Sequence, residues 1–141
     1  MLIKLASKVI LLKDVRHYND FLVVEVVMDQ RQRAARLLER IEAELHCLGL
    51  WQTECPAPHE LQSREPFAID KLDFHQWLQF IMLPRMWDVI DGEHPLPQNI
   101  AVSPMAAHVY RKELENHEAL IASLREFDIL LSGADPLADD V

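Results

Sequence analysis

Glycine is scarce in this chain, with three in 141 residues. So few positions free to adopt left-handed backbone argue against a fold built from many tight hairpins and favour long helices. Cysteine is scarcer still. Cys47 and Cys55 alone cannot form a disulfide framework, and a reducing cytoplasm is the expected setting. Positive charge is also in deficit. Fourteen Lys and Arg stand against 23 Asp and Glu, a formal net charge of -9. Such a surface repels phosphate backbones and anionic membranes, so neither direct nucleic-acid binding nor membrane docking is expected. No apolar run approaches the roughly 20 residues of a membrane helix. No Walker loop, dinucleotide fingerprint or G-x-S-x-G elbow occurs, and no internal repeat.

What is present is helical pattern, with one exception at the start. Residues 1–27 carry four basic and three acidic residues, whereas 28–141 carry ten basic and twenty acidic. Phe21 to Val27 is a β-branched, apolar run that reads as a strand. Residues 1–27 are therefore expected to be an extension, with Met28 as the natural start and 28–141 as one helical domain. N-terminal mass spectrometry of protein from its own cells checks that expectation, and a dominant species starting at residue 1 or 2 contradicts it.

Asp29 with Gln32 has the spacing of a capping box. Ala34, Leu37, Leu38, Ile41, Leu45 and Leu48 then recur at helical spacing until Gly49. Leu50 and Trp51 are expected to fold back as apolar plugs. Cys55 to Pro58 opens a connector in which residues 59–63 make one turn and Glu65-Pro66-Phe67 is extended, with Phe67 and Ile69 covering one end of the core. Asp73 with Gln76 repeats the capping-box spacing. The helix after it is densely apolar, with Trp77, Leu78, Ile81, Met82 and Trp87 facing inward and Pro84-Arg85 inside it. An interior proline costs roughly 3 kcal/mol, so packing or a kink must compensate. Ser103-Pro104 reads as N-cap and N1 of a further helix. From there to Leu131 two helices are expected, meeting near Leu114–His117. Asp135 to Val141 is expected to be a loose acidic tail.

Leu50-Trp51, Glu65-Pro66-Phe67 with Asp70, Trp77 to Met86, Leu96-Pro97 and Ala101 to Pro104 together resemble the YqcC-like family of small bacterial proteins. The resemblance spans Met28 to about Leu131. It implies an all-α four-helix bundle with the second helix kinked at the proline, and no established activity, cofactor or catalytic residue. Family members are often encoded beside tRNA pseudouridine synthase C. One departure stands out: the family leads one to expect a clearer helix breaker near Glu115–His117 than this chain has.

Catalysis finds little to stand on. His46, Cys47, Cys55 and His59 are near in sequence but lack the tight pairings of a zinc site, and Cys47 on a leucine-rich helix reads as a small core residue. Cys55 lies between Glu54 and Glu60, the wrong charge for a reactive thiolate. The pairs Asp70/Asp73 and Asp88/Asp91 read as cap and solvated helix end. An acidic helical chain offers neither the sheet nor the basic cleft of a pseudouridine synthase, so any tie to that enzyme is as its companion. The expectation is a non-enzymatic interaction module, with Phe80 and Arg85 as recognition residues and Gln76 and Gln79 as their polar rim. The rival reading is a small-molecule or enzyme site in a pocket near Trp51, Phe67, Asp70 and Trp87. Direct RNA binding through Arg31, Arg33, Arg36 and Arg40 is a third, weakened by the glutamates between them.

Overall fold

Asp29 starts the first helix by the expected reciprocal cap. Its carboxylate accepts the Gln32 N–H at 2.8 Å, and Gln32 Oε1 accepts the Asp29 N–H at 3.2 Å. The computed structural model describes residues 2–5, 8–11, 28–92 and 94–138. Helix α1 (Gln30–Cys47) buries Ala34, Leu38, Ile41 and Leu45, the inner stripe of its pattern. Gly49, at φ +71°, lets the chain leave the helix, and Leu50 and Trp51 fold back onto the core as expected. Cys47 differs from expectation. It lies two residues past Leu45, off the buried stripe, and is exposed.

The connector holds α2 (Pro58–Leu61) and a 3₁₀ turn, Pro66–Ala68. Here the extended reading of Glu65-Pro66-Phe67 holds at Glu65 and is corrected from Pro66 on. Phe67 and Ala68 have φ of 56° and 49°, the left-handed region that costs a residue with a Cβ about 1–2 kcal/mol. The conformation places the Phe67 ring against Trp77 and Phe74, with centroids 4.8 and 6.1 Å away. It also buries Ala68, so aromatic packing offsets local strain. Ile69, expected to cover the core, instead is 61% exposed.

α3 (Phe74–Trp77), a π turn (Leu78–Met82) and α4 (Leu83–Asp91) follow one another as a continuous helical rod. The Leu83 N–H reaches back five residues to the Leu78 carbonyl. This wide turn lies directly before Pro84, where a regular helix would press the proline ring against the carbonyl four residues earlier. The irregularity thus takes the form of a π turn. It leaves Leu78, Gln79, Ile81, Met82, Leu83 and Met86 buried while Pro84 and Arg85 face solvent.

After Pro95 to Ile100 come α5 (Ser103–Val109) and α6 (Leu114–Ser132), two helices as expected, with the break at 110–113, slightly earlier than read. No glycine or proline makes it. The Tyr110 ring stacks on His117 at 3.9 Å, and His117 Nδ1 bonds the Glu113 carbonyl at 2.9 Å. Ser103 does not cap α5 with its side chain. Asp128 of α6 does that, accepting the Val102 N–H at 2.9 and 3.0 Å and the Ser103 N–H at 2.8 Å. Gly133, at φ +78°, ends α6. The tail is less loose than read, since Arg125 grips the Asp135 carboxylate through Nε at 2.9 Å and through Nη2. Residues 139–141 lie outside the described residues.

These four principal helical elements enclose the main core, in which Leu38, Ile41, Leu45, Leu78, Leu120, Leu124 and Phe127 are fully buried, and a smaller apolar cluster joins Ala68, Leu72 and Ile81. α1 packs along α6 and against α4, and α5 against α6. Arg31 ties the first two elements together. Its guanidinium donates to the carbonyls of Val89 at 2.8 Å, Ile90 at 3.2 Å and His94 at 2.6 Å, closing the C-terminus of α4. The domain is helical as expected. A short antiparallel pair, β1 (Leu2–Leu5) with β2 (Lys8–Leu11), lies in the N-terminal segment. The strand read at Phe21 to Val27 lies outside the described residues.

Candidate interaction site

The four expected recognition residues sit on or beside the π turn, but they do different work. Gln79 is 7% exposed. Its Oε1 accepts the Gln52 N–H at 2.9 Å and its Nε2 donates to the Gln52 carbonyl at 2.7 Å. It therefore pins the connector's backbone to the rod, and it is a clamp where a rim was expected. Gln76 shares that task. Its Oε1 accepts the Asp73 N–H at 2.8 Å, while its Nε2 donates to Gln52 Oε1 at 3.1 Å. A polar side chain at this inner position is tolerated because both ends of its amide are satisfied.

Phe80 is half-buried and belongs to neither hydrophobic cluster. Arg85 is exposed, with no partner among the described residues. Pro84, also exposed, lies between them in sequence. Trp77 and Trp87 are half-buried against the core. The rod thus carries a half-buried aromatic ring outside both apolar clusters and an exposed guanidinium, residue types common where protein surfaces meet.

The residues of the rival pocket sit in different settings. Trp51 lines a groove of about 500 Å³ with Gln52, Glu54, Cys55, Glu60 and Gln76. Phe67 is packed against rings, and Asp70 is exposed, accepting a hydrogen bond from the Ser63 hydroxyl. A second groove, of about 680 Å³, lies between α1 and α6 and is lined by Arg33, Arg36, Leu37, Arg40, Glu126 and Ile129. The arginines of the RNA reading are divided by these contacts. Arg31 is consumed as a helix cap, and Arg40 pairs with Glu126 at 2.8 Å. Among the described residues no three His, Cys, Asp or Glu side chains gather as a metal site would require. His46 stacks on Trp51 at 4.6 Å, while Cys47 and Cys55 are exposed.

Burial is the main perturbation at three titratable groups. Burial lowers the His75 pKa, partly opposed by Asp73, whose carboxylate is 3.8 Å away. Burial, with Asp73 acting in the same direction, pushes the Tyr110 hydroxyl up to about 12. Burial raises the Asp128 carboxyl, opposed by the backbone N–H groups of Val102 and Ser103. The sequence reading missed Asp128. Its signal was an acid adjacent to Phe127 and within the Leu124–Leu131 apolar repeat, a position where a charge needs buried partners.

Comparison with known proteins supplies what geometry leaves open. The family model described as tRNA pseudouridine synthase C matches residues 33–130. An uncharacterised protein YqcC from Escherichia coli is 30% identical over 105 residues, which is 74% of this chain and 96% of that one. An uncharacterised protein from Haemophilus influenzae is 34% identical over 94 residues, 67% of this chain and 88% of that one. A tRNA pseudouridine synthase C from Pectobacterium carotovorum subsp. carotovorum is 33% identical over 72 residues, 51% of this chain but only 19% of that protein. The solution NMR structure of protein YqcC from E. coli superimposes with a TM-score of 0.67 at 30% identity, over 74% of this chain and 90% of that one.

Proposed function

This chain belongs to the YqcC-like family, and from that premise we propose that it is a non-catalytic interaction module that works beside a tRNA pseudouridine synthase in the cytoplasm. One observation carries the reading. A stretch of the Pectobacterium protein named tRNA pseudouridine synthase C, about a fifth of its length, resembles this chain. A domain that occurs both as a separate chain and inside a larger enzyme is in a position to act on that enzyme from outside. The fraction matched is too small to be the whole synthase, which supports a companion over a catalyst.

The side chains support the same reading. The fully buried carboxylate, Asp128, is occupied in capping a helix. We assign partner contact to Phe80 and Arg85, supported from beneath by Gln76 and Gln79, which hold the connector against the rod. Direct RNA contact is not needed for this role, and the acidic surface disfavours it.

The test is affinity purification of the tagged protein at native expression level, beside an Arg85→Ala variant. The expected result is a co-purifying pseudouridine synthase that is depleted with the variant, while thermal stability stays within about 0.5 kcal/mol of wild type. Repeated purification with no synthase contradicts the reading.

A further inference from the structure

A synthase that handles tRNA must present cationic surface to a phosphate backbone. This chain carries -9, and its two grooves described above differ in sign. The α1–α6 groove is rimmed by Arg33, Arg36 and Arg40, and its one glutamate, Glu126, is already paired with Arg40, so it offers a basic partner no spare carboxylate. The Trp51 groove has Glu54 and Glu60 in its wall and no lysine or arginine. Resting on the partnership proposed above, we infer that the Trp51 groove receives an arginine-bearing segment of the synthase.

The groove's chemistry suits that occupant. Glu54 is exposed, with no partner among the described residues. Glu60 spends one carboxylate oxygen on the Ala57 N–H at 3.1 Å. A guanidinium bonds carboxylates through planar N–H pairs. The wall is also held in place before binding. His46 stacks against Trp51, Trp51 packs on the core, and Gln76 and Gln79 fix Gln52 by three hydrogen bonds. A fixed wall reduces the ordering cost of association. Gln76 lines this groove, so the acidic recess and the Phe80 segment draw on one helical stretch.

The experiment measures binding of the full-length chain to purified tRNA pseudouridine synthase C from the same cells, by biolayer interferometry. Glu54→Lys is expected to raise Kd at least about tenfold and Glu54→Gln less, with unchanged circular dichroism. Arg33→Glu, at the other groove, is expected to leave Kd within about twofold. Wild-type affinity in Glu54→Lys overturns the groove assignment while wild-type binding preserves the partnership. No binding by the wild-type chain overturns both.

Discussion

Helices α1 and α5 both begin under a carboxylate, but the two caps come from different distances. Asp29 caps α1 from the adjoining position and is answered by Gln32 three residues on. Asp128 caps α5 from 25 residues away, across the α5–α6 packing. The first cap is local chemistry and forms wherever that tetrapeptide turns. The second exists only when the core has assembled, and it makes α5, a helix of seven residues, depend on α6. A short helix is marginal alone, so α5 borrows its start from a neighbour.

The largest expected effect separates the two caps. Asp128→Ala removes the acceptor of both buried N–H groups at the start of α5 and opens a small void, and should cost about 3 kcal/mol in a chemical denaturation experiment. Asp29→Ala at a half-buried, local cap should cost about 1 kcal/mol. Equal losses would mean that α5 does not depend on its remote cap. The smallest effect is a pH trend. Burial holds the Asp128 carboxyl above its ordinary value of 3.8, so on acidification the folded chain takes up this proton before the unfolded one. The contribution of Asp128 to stability therefore grows as pH falls from neutral through the folded pKa towards 3.8, and shrinks as pH rises. Wild type and Asp128→Asn, compared by thermal denaturation across that range, should differ in slope in that direction.

The same contrast explains what the sequence disclosed. The α1 stripe, the Asp29–Gln32 box and the exit at Gly49 were readable because the interacting residues lie within a turn of each other. The apolar phase of the second helix likewise read correctly through Leu78 and Met82. The π turn before Pro84, the left-handed Phe67, the Arg31 cap and the remote carboxylate were not readable, since each is decided by a partner distant in sequence. At the candidate site, helical phase set Phe80 and Arg85 apart from the core stripe, and the structure leaves both accessible. Gln79 has an ordinary rim composition, and its role as a clamp follows only from the backbone of Gln52 arriving beside it.

The central claim is that this chain is a companion of a pseudouridine synthase. The most direct measurement is size-exclusion chromatography with light scattering on the folded chain mixed with purified tRNA pseudouridine synthase C at micromolar concentration. The account predicts a single species whose mass is the sum of the two partners in a fixed ratio. Separate elution of two unaltered proteins would contradict it.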